Sequence, residues 1–264
     1  MRVYTLKLPD SIDAPFVRFP FIREGEIFSP FSCALSLRPA GDQSFNPTGK
    51  NPNRDRFFES LSLDPSRVAS RPQTHSRDVI VVDGCCLSSL PSGDGMASVD
   101  ASIQLSVTVA DCLPVFLADP ESGAFAVVHS GWKGTGILAV AINLMQERWQ
   151  VRPEELLAVF GPCISRCSYA VPVDRANLFE AEFGSKEGLR GPLGFPVHRD
   201  ADGAHIDLQA ANALILEKYG VRNLAVCAAC TYTDERLGSF RREGAEHFTR
   251  MVAVVGPAAK EKNA

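Results

Sequence analysis

Two apolar runs of this 264-residue chain, Leu113 to Ala118 and Ala124 to His129, stand on either side of the turn-forming stretch DPESG. Runs of that length bounded by such residues read as the two strands of a hairpin, which commits the middle of the chain to antiparallel pairing. Just upstream, Ile103, Leu105, Val107 and Val109 alternate with Gln104, Ser106 and Thr108, the period-2 signature of a half-buried strand. Just downstream, SGWKGTG breaks the second strand, and Leu138, Ala141, Ile142, Met145 and Trp149 recur at helical spacing within Ile137 to Trp149.

The flanking segments follow the same logic. Asp78 to Val82, Leu156 to Phe160, Leu224 to Ala229 and Met251 to Val255 read as strands, and Arg54 to Leu61 as a short helix. Asp174 to Phe183 reads as a helix stopped by Gly184, and Asp207 as the cap of a helix that Gly220 ends. The opening third reads as irregular, and residues 184 to 203, rich in glycine and proline, as a long loop. Hairpins mixed with helices, without regular βαβ alternation, predict an α+β fold rather than a doubly wound sheet. Nothing long enough to separate two domains is apparent, so the expectation is a single domain over 1–264 with a short flexible tail from about 257.

Composition excludes several function classes. The chain carries 31 Asp plus Glu against 27 Lys plus Arg, a net charge of −4, whereas a nucleic-acid backbone binder needs a basic excess. Apolar stretches such as Ala124 to Val128 fall far short of the roughly 18 residues that span a bilayer. The start, MRVYTLKLPDSIDAP, carries Asp10 and Asp13 and no apolar core of a secretory signal, so the expected compartment is the cytoplasm. In a reducing compartment the eight cysteines, at positions 33, 85, 86, 112, 163, 167, 227 and 230, read as free thiols or metal ligands. Cys227 and Cys230 form a C-x-x-C read as inert core thiols, with a four-cysteine zinc site shared with Cys163 and Cys167 as the minor alternative.

Of the five histidines, His198, His205 and His247 read as ordinary, whereas His129 ends an apolar strand at a glycine-broken turn. Cys112 begins the partner strand. With Ala118 paired to Gly123, Cys112 stands opposite His129 on one face; a one-residue slip separates them. Local spacing therefore permits a Cys/His pair and equally permits a buried thiol beside an unrelated strand-end histidine. Asp94, in SGDGM, reads as a turn residue, and Asp111 either as a turn cap or as a partner to the site.

The segments PQTHSRDV, VADCLPVFLADPESGAFAVVHSGWKGT, GPCIS and SFRRE resemble the hallmark blocks of the YfiH-like (DUF152) family, also called multicopper polyphenol oxidoreductase laccases and more recently seen as purine nucleoside phosphorylases. The resemblance extends from about Ser36 to Arg250 and implies mixed β-sheets packed with helices in a layered sandwich. It places the family's His, Cys, His metal set on His75, Cys112 and His129, and its early arginine on Arg38 within Ser36 to Gly41. Ala40, Ser130 and Lys133 depart from the family's usual glycine, alanine and arginine; Lys133 keeps the charge of that arginine but loses its planar fork. Arg241 and Arg242 match the SFRRE block, and adjacent residues point in different directions, so at most one faces a site.

Two imidazoles and a thiolate suit a catalytic zinc, three protein ligands leaving a fourth position open, with copper as the alternative metal. The resemblance thus implies a zinc-dependent phosphorylase acting on adenosine, inosine, guanosine or methylthioadenosine with phosphate, with adenosine deamination as an added activity. Arg38, Lys133, Arg241 and Arg242 are its candidate substrate-binding residues. Three alternatives stay open: a copper-dependent polyphenol oxidase, which five histidines can hardly equip; a cysteine hydrolase with Cys112 as nucleophile and His129 as base; and a peptidoglycan-related factor acting through a partner.

Overall fold

A computed structural model describes residues 1–258 except 12, 47–49, 86, 88–90 and 185–189. In chain order the elements are β1 (Arg2–Leu6), β2 (Phe16–Arg23), β3 (Glu26–Ser36), α1 (Pro52–Ser60), β4 (Val68–Ala69), β5 (Val79–Val81), β6 (Gly95–Ser98), β7 (Gln104–Val109), β8 (Leu113–Ala118) and β9 (Phe125–Ser130). They continue with α2 (Ile137–Trp149), β10 (Leu157–Phe160), β11 (Ala170–Val171), α3 (Val173–Phe183), β12 (Val197–Asp200), β13 (Gly203–Ile206), α4 (Leu208–Lys218), β14 (Asn223–Cys227), α5 (Phe240–Glu243) and β15 (Met251–Pro257). The fold is mixed α+β. A seven-stranded sheet runs β1-β14-β10-β8-β9-β6-β5, a five-stranded sheet runs β2-β3-β15-β7-β4, and β11-β13-β12 form a small third sheet.

The hairpin lies in the middle of the seven-stranded sheet, and every residue of β8 and β9 is buried. Alternation then sorts its side chains into two cores. Leu113, Val115, Leu117, Ala126 and Val128 pack against Ile137, Leu138, Ala141 and Ile142 of α2 and against α3 and α4. Phe116, Ala118, Phe125 and Val127 face the five-stranded sheet, meeting Leu105, Val107, Met251 and Val255. Phe57, Phe58 and Leu61 in and beside α1 cover the outer side of that second sheet through Ala34, Val252 and Val254. The result is a stack of helices, sheet, sheet and helix, each apolar face buried against the next.

Three expectations need correction. The N-terminal third is not irregular: β1 joins the seven-stranded sheet parallel to β14, and β2 and β3 pair antiparallel in the five-stranded one. The glycine-rich stretch after α3 carries β12 and β13, which pair with each other. Ser106 is not on a wet face of β7; it is 2% exposed, and its hydroxyl is held by Ala69 O at 2.9 Å and Arg54 Nη2 at 3.2 Å. The strand from Met251 runs on to Pro257, while residues 259–264, where a flexible tail was expected, lie outside the described residues.

Candidate active site

The hairpin register is Leu113 opposite Ser130 and Pro114 opposite His129. That is two residues from the expected pairing, so the shared face survives: a shift of two leaves side-chain alternation intact. Cys112 thus lies across from Gly131, where any Cβ would sit 2.7 Å from the Cys112 sulfur. Glycine there lets the turn after β9 close over the thiol. Gly131→Ala is expected to displace that sulfur and lower metal affinity about tenfold, since displacing a site's ligands or their partners typically costs that much; metal titration of the two proteins checks it.

Cys112 follows Asp111, which has a positive φ of 84°. The Asp111 carboxylate holds that corner by accepting hydrogen bonds from Thr231 Oγ1 at 2.6 Å and from the Arg241 backbone N–H at 2.7 Å. Between the two earlier readings of Asp111, its partners are thus those of a buried brace beside the thiol.

His75 comes from the loop before β5, also at a positive φ, 58°. That loop is wound around one carboxylate. The backbone N–H groups of Thr74, His75 and Ser76 donate to Asp94 at 3.0, 3.0 and 2.8 Å. Asp94 Oδ1 also accepts from His129 Nδ1 at 2.8 Å, and Asp94 O accepts from the His129 backbone N–H at 2.8 Å. Asp94, fully buried, is therefore not a turn residue but the post that ties His75 to His129. With Nδ1 engaged, His129 presents Nε2 to its neighbours.

These ties bring His75, Cys112 and His129 together. One ligand atom from each lies within 4.8 Å of the others, and the two imidazole rings are 4.9 Å apart between centroids at 74°. Ligands of a tetrahedral zinc are about 3.3 to 3.8 Å apart, given bonds of 2.0 to 2.3 Å, so a small adjustment suffices. Among the described residues no fourth such ligand joins the group. The donor set therefore fits zinc with an open position, and its thiolate and imidazoles also accommodate copper(I).

The electrostatics suit a metal that demands a thiolate. Burial opposes ionisation of Cys112, but the His129 charge and hydrogen bonds to both rings outweigh it and bring its pKa down to about 7. Burial likewise opposes protonation of His129, but Cys112 and Asp94 outweigh it and raise its pKa. Burial also works against the Asp94 carboxylate, yet the bonds from His129, Ser76 and Thr74 hold it well below the usual carboxylate range.

The three residues form part of the wall of a cleft of about 800 Å³, within the range of small-molecule sites. Trp132, Tyr169, Phe240 and Phe248 supply aromatic surface there. Arg175 lies over the Trp132 ring at 4.3 Å and Arg241 over Tyr169 at 5.5 Å. Arg241 thus faces the cleft. Arg242 does not; its guanidinium fastens the preceding loop by donating to the carbonyls of Thr231, Tyr232 and Asp234. Arg38 and Lys133 are not among the cleft-lining residues: Arg38 Nη1 donates to Glu235 O at 3.1 Å, and Lys133 is exposed with its Nζ 5.6 Å from the Trp132 ring. Sequence reasoning missed Asp94, Arg71 and Arg250, the last two of which line the cleft. The only local signal for Asp94 was a carboxylate set between glycines just before a strand.

The C-x-x-C divides. Cys227 is buried in β14, where burial raises its pKa, whereas Cys230 lies half-buried beyond the strand end and accepts from the Ser165 N–H at 3.3 Å. Among the described residues, those two, Cys163 and Cys167 do not form a metal cluster.

Comparison with known proteins agrees with this architecture. The profile of the family described as "Multi-copper polyphenol oxidoreductase laccase" matches residues 41–258. The chain belongs to that family. A Deinococcus radiodurans protein named purine nucleoside phosphorylase is 30% identical over 253 residues, 94% of each chain. The purine nucleoside phosphorylase YlmD of Geobacillus stearothermophilus is 28% identical over 88% of this chain and 86% of its own. The crystal structure of that organism's YlmD superposes with a TM-score of 0.76 at 25% identity, covering 91% of this chain and 97% of its own. A Neisseria meningitidis DUF152 protein shares the fold, with a TM-score of 0.75 at 24% identity, over 93% of this chain and all of its own.

Proposed function

We propose that this protein is a metal-dependent purine nucleoside phosphorylase that converts adenosine, inosine, guanosine or methylthioadenosine and phosphate into free base and the corresponding sugar 1-phosphate: ribose 1-phosphate from the first three and 5-methylthioribose 1-phosphate from the last. The observation that carries the reading is the convergence of His75, Cys112 and His129 at the wall of an aromatic, arginine-lined cleft, in a chain whose relatives bear that name. Zinc held there would supply a Lewis acid beside the reacting centre. The chain's own residues do the rest. Asp94 fixes the tautomer and direction of His129, the aromatic side chains lining the cleft offer apolar surface to a planar base, and the arginines favour the anion that attacks the ribose carbon. The site needs its thiol reduced, which suits the cytoplasm expected from the sequence. Adenosine deamination at the same site is a second activity of this reading.

The test is to incubate zinc-loaded protein with adenosine and with inosine, with and without phosphate, and to separate the products. Free base that appears only with phosphate is expected. Inosine formed from adenosine without phosphate reports the deaminase activity, and no base release from either nucleoside rejects the phosphorylase reading.

A second reading rests on one specific contact. Cys112, His129 and Asp94 form a thiol, imidazole and carboxylate series like that of a cysteine nucleophile and its base. Metal content separates the two readings. Polyphenol oxidation gains no such support, because His198 and His205 pair in the small sheet and do not join the His75 group.

A further inference from the structure

Arg71 shares the loop of His75 and lines the same cleft, yet it is only 3% exposed. Its Nη1 donates to Pro91 O at 3.2 Å. Its Nε and Nη2 are buried without a hydrogen-bond partner among the described residues. Burial alone acts on its pKa, which falls to about 10, so it remains a cation at neutral pH, and among the described residues no carboxylate pairs with it.

The fold is capable of satisfying such a group. Arg54, 5% exposed, donates to Gln43 O, Thr108 Oγ1, Ser70 Oγ and Ser106 Oγ. Leaving two guanidinium N–H groups and a charge uncompensated is destabilising by itself; both nitrogens are closed off from solvent in this conformation, but Arg71 is part of the cleft wall, so a small turn of the side chain brings them to an anion held there. Nε and Nη2 are moreover the two nitrogens along one edge of the guanidinium, the edge that grips two oxygens of one anion. The surroundings select for negative charge. Arg175, Arg241 and Arg250 also line the cleft, and its acid, Asp111, is already held by Thr231 and the Arg241 backbone.

We propose that Arg71 anchors a phosphoryl group in the cleft through its Nε and Nη2 edge. The choice of phosphate over another two-oxygen anion rests on the phosphorylase reading; the anchor itself rests on the unpaired Nε and Nη2 edge. This assigns to Arg71 the anion-binding role that the sequence suggested for Arg38 and Lys133.

Arg71→Met and Arg71→Lys, zinc-loaded, test it against the unsubstituted protein. In Arg71→Met the KM for phosphate is expected to rise at least about tenfold, as loss of a charge-assisted two-point contact implies, with the nucleoside KM within about twofold. Arg71→Lys falls between, keeping the charge without the fork. Phosphate is expected to raise the thermal midpoint of the unsubstituted protein and not that of Arg71→Met. Without phosphate, the Met variant is expected to melt no lower, because the single bond lost, to Pro91 O, is offset by relief of a buried charge with two unpaired N–H groups. A purely structural arginine would give the reverse.

Adenosine 5′-monophosphate in place of inorganic phosphate distinguishes a phosphoryl group carried by the substrate from a free one, and protection by either one that depends on Arg71 supports the anchor. If phosphate stabilises the protein through Arg71 but no base is released, the anchor stands and the phosphorylase reading fails. An unchanged phosphate KM in Arg71→Met, or equal stabilisation of both proteins by both ligands, overturns the anchor.

Discussion

Cys112→Ala is expected to abolish stoichiometric zinc binding and to lower nucleoside turnover at least about 1,000-fold. Loss of a partner that merely orients a metal ligand typically costs 10- to 100-fold, and the thiolate is one of the three side chains that converge here among the described residues. The fold is expected to persist. Cys112 immediately precedes β8 at the cleft wall, and the cores on either side of that strand are built by Leu113 and Val115 on one face and Phe116 on the other. Metal analysis after dialysis, circular dichroism and the phosphate-dependent assay check the three statements together. Full zinc occupancy in the variant, with turnover lost, would contradict the ligand assignment and favour a nucleophilic cysteine acting without metal.

Asp94→Ala is expected to be the more damaging change to the folded state, by about 3 to 5 kcal/mol, the usual consequence of removing one side of a buried charged pair. It strands three backbone N–H groups in the loop of His75 and leaves His129 Nδ1 without an acceptor. Urea unfolding measures the loss, and an unchanged midpoint would show that the carboxylate does not hold the loop. Because the folded carboxylate titrates well below its ordinary range, its contribution is present above the unfolded value of about 4 and disappears as pH falls below it toward the folded one. The stability difference between the metal-free proteins is therefore expected to be full at pH 7 and to shrink progressively below pH 4 or so.

How much of this was legible in the chain differs from element to element. The hairpin of β8 and β9, α2 and α4 declare themselves because their signals are local: apolar runs beside DPESG, apolar residues at helical spacing, and Asp207, whose Oδ1 does accept from the Ala210 N–H at 2.9 Å. The first strands do not. β1 is mostly exposed, so it shows no alternation, and its partner β14 begins only at Asn223. β12 and β13 are short strands inside a glycine-rich stretch, too brief to register a period.

Within the site the same division holds. His75, Cys112 and His129 were reached through the family's blocks together with the hairpin, and the register argument survived an error of two residues because alternation has period two. What sequence by itself determined is whatever depends on neighbours along the chain: the central strands and helices, the surplus of acid over base, and a thiol and an imidazole on one face of one hairpin. Only the tertiary structure decided the rest. It turned Asp94 from a loop residue into the post between two histidines, kept Arg38 and Lys133 out of the cleft and left Arg71 in its wall with two N–H groups unpaired. Those roles depend on which distant backbone and side-chain groups satisfy, or fail to satisfy, a buried charge, and spacing along a chain carries no information about partners brought in by folding.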